Sequence, residues 1–321
     1  MSQDDAPDIA VLRQKIHGLS AEEYAETLRE RLPEKDIALA RTPTEERDLL
    51  KRVSVATGFS IEEDALAEAE NLELFACVFA GTGHLPLEAL DERGVAVTNA
   101  SGVHGPNIAE QVLGGILSFS RRFHVGWRQK QRNEWRSYPT YELQGSTVTV
   151  LGLGAIGQAV VDRLEPFGVD TIGVRYSPEK GGPTDEVVGF EDESGFHDAL
   201  ARSDYVVVAC PLTDTTRGIL DADAFKTMDP ETVLINVGRG PVVDTDALLD
   251  ALRGNAVRGA ALDVTDPEPL PDDHELWGFD NVLITPHNAG HTPEYWERMT
   301  DIIEENLERL ESGEEELRNQ V

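Results

Sequence analysis

Three side chains of complementary chemistry follow apolar, strand-like runs in the last third of the chain. Arg239 comes after TVLINVG, Glu268 stands between two prolines in LDVTDPEPL, and His287 follows NVLITP. A guanidinium grips a carboxylate through two parallel hydrogen bonds. An imidazole gives and takes a proton near neutral pH, and a neighbouring carboxylate orients the ring and favours its charged form. Reduction of a 2-oxo acid by hydride needs these parts: a cation for the carboxylate, a proton donor for the carbonyl oxygen, and a group that keeps the donor charged. Singly, each residue has a plainer reading. His287 alone reads as a structural histidine, Glu268 as one acid among many, and Arg239 as a strand cap or a partner of Asp244. Their joint placement at three strand ends favours the chemical reading, because ligands bind at the carboxyl ends of strands in parallel sheets.

Upstream of these residues lies a second signal. The run TVTVLG leads directly into Gly152, Gly154 and Gly157 in GLGAIG, and a helix follows with Ala155 and Ile156 in its first turn. In that context Gly152 permits a tight turn, Gly154 lets backbone approach a pyrophosphate, and Gly157 lets helix and strand pack closely. A dinucleotide site is expected there. The next strand ends in Arg175-Tyr176-Ser177, where an acid would accept a hydrogen bond from a free ribose 2′-hydroxyl. Arginine cannot accept one, but it pairs with a 2′-phosphate, and Ser177 can donate another bond. NADP(H) is therefore expected over NAD(H), with use of both cofactors as the alternative.

These residues need elements to hold them. Residues 1–103 alternate apolar runs (IAVL, DIALA, VSVATG, LELFACVFAG, VAVTNA) with amphipathic stretches, including helices over 20–31 and 61–69. A long helix runs over 106–121, with Pro106 in its first turn. Residues 122–145, polar and aromatic, read as a connector. A second series then alternates strands with helices over 155–167, 194–202, 221–227 and 244–253, and a charged helix over 293–312 ends it. The class is α/β, with a doubly wound parallel sheet.

Composition limits the alternatives. Sixty acids against 28 bases give a formal net charge of −32, which disfavours nucleic acid and anionic membranes as partners. Only six of the basic residues are lysine, and the acids are spread over helices; both point to a surface suited to high salt. No apolar run is long enough to cross a bilayer and the N-terminus does not read as a secretory signal, so a cytoplasmic location is expected. Cys77 and Cys210 lie in apolar runs without ligand spacing, so no metal site and no disulfide are expected.

The stretches GLGAIG, NVGRGPVVD, LDVTDPEPL and TPHNAG together resemble the successive signatures of the D-isomer-specific 2-hydroxyacid dehydrogenase family. The resemblance covers nearly the whole chain. It implies a Rossmann-type cofactor domain over 104–290, inserted into a smaller flavodoxin-like substrate domain of 1–103 and 291–321. It also implies a homodimer through the cofactor domain, with Trp135 near the contact. Gly81, Thr82 and Gly83 would hold the substrate carboxylate along with Arg239, although His84 stands where the family has an aspartate. Pro211 and Thr213 would wall the adenine side, and Val237, Gly238, Asp263, Ala289 and Gly290 would line the cofactor near the nicotinamide. Competing readings are a non-catalytic dinucleotide sensor or corepressor, and phosphite, formate or phosphoglycerate oxidation on the same scaffold. The substrate tail is left open, with Tyr295 and Trp296 as candidates that could equally be core residues.

Overall fold

Short strands, most of them buried along their length, build two parallel sheets, one in each of two units of the chain. The computed structural model describes residues 6–14, 18–314 and 316–321. One unit comprises Met1–Val103 with Thr292–Val321, the other His104–His291, so the second crossing lies one residue beyond the expected boundary.

The first unit runs β1 (Ile9–Val11), α1 (Ala21–Arg31), β2 (Ile37–Leu39), α2 (Pro43–Leu50), β3 (Val55–Gly58), α3 (Glu63–Leu66), β4 (Leu74–Cys77), α4 (Leu87–Asp91) and β5 (Ala96–Thr98). Its sheet has the order β2-β1-β3-β4-β5, all parallel, which is the flavodoxin-like order. Successive strand residues face opposite ways. Ile9, Val11 and Leu74 accordingly pack with Tyr24 and Leu28 of α1, whereas Ala10, Ala56 and Phe75 pack with Leu49 and Leu50 of α2. Both faces are covered, which is why these strands read as nearly unbroken apolar runs. Ser20 starts α1 with a reciprocal capping box to Glu23, and Thr42 caps α2 just before Pro43.

The second unit contains α5 (Gly105–Ser120), α6 (Phe123–Gln131), β6 (Thr147–Leu151), α7 (Ala155–Leu164), β7 (Asp170–Arg175), β8 (Glu186–Gly189), α8 (Glu193–Ala201), β9 (Tyr205–Val208), α9 (Ala222–Thr227), β10 (Val233–Asn236), α10 (Thr245–Arg253), β11 (Gly259–Leu262) and β12 (Val282–Ile284). Its sheet order is β12-β11-β10-β9-β6-β7-β8, again parallel throughout. The first six strands in chain order reproduce the doubly wound nucleotide-binding arrangement, with its switch point between β6 and β9. Residues of α5 and α7 cover one face and those of α8 to α10 the other. The chain returns to the first unit in α11 (Tyr295–Ser312).

Four local expectations are corrected. The supposed connector carries α6, which buries none of its own side chains and so shows no apolar stripe. Strand β8 was not foreseen, because it is an edge strand of four residues with Val188 alone buried. The helix expected over 61–69 is the single turn α3. The helix expected over 155–167 stops at Leu164, and a 3-10 turn carrying Pro166 follows, since proline cannot donate to the α-helical ladder.

Candidate active site

The pairing register brings three strand ends into line: Asn236 of β10 lies beside Leu262 of β11, and Leu262 beside Ile284 of β12. Arg239 follows the first by three residues and His287 follows the last by three, so they leave strands two positions, or roughly 10 Å, apart. Glu268 lies on the loop after the strand between them. Its carboxylate Oε1 is 2.5 Å from His287 Nδ1. A carboxylate accepts, so Nδ1 carries the hydrogen and the pair fixes the ring with Nε2 turned to whatever enters the site. Both side chains are open to a ligand, at 51% exposed for His287 and 39% for Glu268.

The histidine loop has an unusual backbone. His287 has φ of 52°, in the left-handed region. Asp263, 4% exposed, holds it there. Its carbonyl accepts the His287 N–H at 2.8 Å, and its carboxylate accepts the N–H groups of Asn288 and Ala289 and the Thr285 hydroxyl. A second brace comes from α5, where Asn107 donates to the Ala289 carbonyl and Gln111 to Thr285 Oγ1. None of these positioning roles was visible in the sequence. The one available signal was Asn107 directly after the helix-opening Pro106.

Arg239 is exposed, and its Nη1 donates to the Gly238 carbonyl at 2.7 Å. Among the described residues no carboxylate lies within ion-pairing distance of it, in a chain that carries 60 acids. Asp244, the alternative partner, instead accepts from the Ala247 N–H and caps α10. The loops of Arg239 and Glu268 are packed together at Gly240, where a Cβ would fall 1.9 Å from the Thr265 carbonyl oxygen.

At the switch point, Gly152 (φ 101°) leaves no room for a Cβ against Cys210, and a Cβ on Gly157 would strike the Gly152 carbonyl oxygen at 1.9 Å. Gly154 differs in having open space where a Cβ would lie. It opens α7 without a side-chain cap, so the first-turn N–H groups at Ala155, Ile156 and Gly157 are available to an anion. Gly152, Gly154, Arg175, Tyr176, Ser177, Pro211 and Thr213 line one cavity of about 250 Å³. The groups expected to hold a dinucleotide's pyrophosphate and adenosine are thus gathered, and the open cradle fits one. Arg175 already donates one bond, to the Gly181 carbonyl at 2.5 Å. Val237, Asp263 and Ala289 border a second cavity of about 560 Å³, whereas Gly238 and Gly290 border neither.

Gly81, Thr82 and Gly83 follow β4 in the first unit on an exposed turn, and Asn99 donates to the adjoining Ala80 carbonyl. His84 stacks on Phe59 at 4.2 Å and bonds its carbonyl oxygen, which gives it a local role. Tyr295 and Trp296 are core residues at 1% and 6% exposed, with the Tyr295 hydroxyl donating to the Val78 carbonyl. Trp135 is fully exposed. Burial pushes both thiols, Cys77 and Cys210, up to about 11. Neither is expected to react with iodoacetamide at pH 8 in the folded protein, and both should react in denaturant. Rapid native labelling, read by mass spectrometry, would contradict their placement.

Among the described residues no helix is long and apolar enough to cross a membrane, and no group of three or more His, Cys, Asp or Glu is placed to hold a metal.

Comparison with known proteins is consistent with this geometry. A family profile described as D-isomer specific 2-hydroxyacid dehydrogenase, NAD binding domain, matches residues 113–289. The chain is 34% identical to the glyoxylate reductase of Thermofilum pendens over 79% of its own length and 76% of the relative's. It is 35% identical to the human glyoxylate reductase/hydroxypyruvate reductase over 75% and 74%. Among solved structures, the D-isomer specific 2-hydroxyacid dehydrogenase from Xanthobacter autotrophicus Py2, in complex with NADPH and MES, superposes with a TM-score of 0.76 at 30% identity, covering 98% of both chains. This chain belongs to the D-isomer specific 2-hydroxyacid dehydrogenase family, and is an oxidoreductase that acts on the CH–OH group of its donor with NAD(P) as acceptor.

Proposed function

We propose that the protein reduces a small 2-oxo acid to the D-2-hydroxy acid with NADPH in preference to NADH, reversibly. The observation that carries the reading is the Glu268–His287 pair on one loop system with an arginine that has no carboxylate partner among the described residues. The bound nicotinamide supplies or accepts the hydride. Arg239 binds the substrate carboxylate, His287 Nε2 donates the proton to the carbonyl oxygen, and Glu268 holds the ring in register. The names of the relatives make glyoxylate and hydroxypyruvate the first acids to assay. A panel of 2-oxo acids of increasing length, with each cofactor in molar salt, tests this. Cofactor binding without turnover of any member would favour a sensor instead.

The cofactor preference rests on Arg175 and Ser177 lining the cavity with no acid among its lining residues. The NADPH complex of the Xanthobacter protein supports it. In the doubly substituted Arg175→Ala/Ser177→Ala enzyme, KM for NADPH should rise about 10- to 100-fold, the worth of one charge-assisted contact, while KM for NADH changes little. Equal losses with both cofactors would remove the 2′-phosphate from the argument.

The net charge of −32 and the scarcity of lysine support a cytoplasm of high salt as the setting. Melting temperature and activity should rise together as KCl goes from tenths molar to molar, because screening relieves self-repulsion. Full stability in salt-free buffer would contradict this. The exposed Phe123, Trp127 and Trp135 support a homodimer through the cofactor unit, to be checked by sedimentation.

A further inference from the structure

The second unit has another cavity, of about 160 Å³, at the opposite edge of its sheet from the catalytic loops. Arg258 and Asn281 border it, immediately before β11 and β12, and Arg122, His124, Arg128 and Tyr141 border it from α6 and its flanks. The setting is unusual for this chain. Residues 121–136 carry six of the 28 basic side chains (Arg121, Arg122, Arg128, Lys130, Arg132, Arg136) and a single acid, Glu134.

Among the described residues only one of the three lining arginines, Arg128, has a carboxylate closer than 4.0 Å, and that carboxylate, Asp280, lines the cavity as well. Arg128 pairs at 3.0 Å with Asp280, which is 80% exposed, and Arg258 comes only within 4.0 Å of Glu231, which is 61% exposed. Arg122 donates to the Pro139 carbonyl and has no carboxylate partner among the described residues. Meanwhile Arg258 is held rigidly, with its guanidinium 4.2 Å over the Tyr141 ring and 5.5 Å from that of Tyr205, and its side chain only 15% exposed. Two nitrogens on these side chains, Arg258 Nε and His124 Nδ1, are buried without a hydrogen-bond partner. Such orphaned groups are rare and mark a place for water or an ion. Burial first, and to a smaller extent the nearby arginines, holds His124 below its usual range, against a backbone hydrogen bond at Ser118 that raises it.

We propose that this pocket binds a small oxyanion of the phosphate class, either inorganic phosphate or the phosphate group of a small metabolite, through Arg122, Arg128 and Arg258. At about 30 Å³ per water the cavity has room for roughly five waters, enough for one tetrahedral anion and too little for a dinucleotide. Guanidinium groups brought from two chain segments, residues 122–128 and Arg258, match the several oxygens of a phosphate better than the two of a carboxylate. The assignment stands apart from the dehydrogenase reading, since none of these residues belongs to that site.

Calorimetric titration of the full-length enzyme with inorganic phosphate tests it, at fixed ionic strength and with excess NADPH to fill the pyrophosphate turn. One saturable site is expected, weakened at least about tenfold in Arg128→Gln, with turnover of 2-oxo acid unchanged. Arg258→Lys serves as the second variant; it keeps the charge and the stem, loses the fork, and should weaken binding likewise. Tighter binding of glycerol phosphate would identify a metabolite as the source, and tighter binding of the inorganic ion would identify free phosphate. A response that does not saturate, or that is the same in Arg128→Gln, would be a general salt effect and would overturn the proposal.

Discussion

Replacing His287 is expected to lower kcat by roughly 100- to 10,000-fold, the usual worth of a positioned acid or base, while leaving cofactor affinity intact. The choice of substitution matters. His287 sits at φ of 52°, where most side chains are strained, and alanine would confound chemistry with backbone relaxation. Asparagine tolerates that conformation, so His287→Asn removes the proposed proton donor and spares the loop. Asp263 would still hold the backbone through the N–H groups of residues 287 to 289. Glu268→Gln should cost less than His287→Asn, because the imidazole stays in place and keeps a hydrogen-bond acceptor at Nδ1. Single-turnover rates separate these effects from product release. An unchanged kcat in His287→Asn would sink the assignment of the proton donor.

The strands and the candidate side chains that follow them were legible in the sequence for one physical reason. Parallel strands covered on both faces, such as Tyr205–Val208 and Val233–Asn236, are buried from end to end and almost wholly apolar, so the charged or polar residues beyond each run stand out. Arg239 and His287 are such residues. What lay hidden depends on backbone groups and on surfaces that carry no pattern. The carboxylate of Asp263 bonds two main-chain N–H groups, which no residue type announces. Asn107 and Gln111 lie on a helix whose sequence reads only as apolar and long, yet their amides reach loop positions more than 170 residues away. Helix α6 escaped notice because it covers no core, and β8 because an edge strand of four residues needs little apolar surface.

This division explains how the site is kept in place. The two loops that carry Arg239 and Glu268 meet at Gly240, where no side chain fits, and the loop that carries His287 is tied to the same region through Asp263. Three reactive groups are thereby referred to one rigid sheet edge, while their tips stay open to a ligand. Preorganisation of this kind spares the reaction the cost of orienting its partners.

Arg239→Ala should lower kcat/KM by roughly 30- to 5,000-fold, corresponding to the 2–5 kcal/mol lost when one partner of a desolvated charge pair is removed. Both constants should suffer, because in the proposed role Arg239 grips the carboxylate in the ground state and in the transition state alike. Arg239→Lys should recover only part of the loss, since an ammonium carries the charge without the two-pronged geometry. A change in the substrate distinguishes this role from a structural one. Glyoxal presents a carbonyl without the carboxylate of glyoxylate, and if Arg239 acts by pairing with that group, the substitution should have little effect on the slow reduction of glyoxal. An equal loss on both compounds would mean that Arg239 shapes its loop instead of holding the substrate. The substrate-holding role is the one we propose, because the loop is already fixed by Asn236, whose side chain donates to the Arg239 carbonyl and accepts the Gly238 N–H, and by the close approach at Gly240, while the guanidinium adds only its bond to the Gly238 carbonyl.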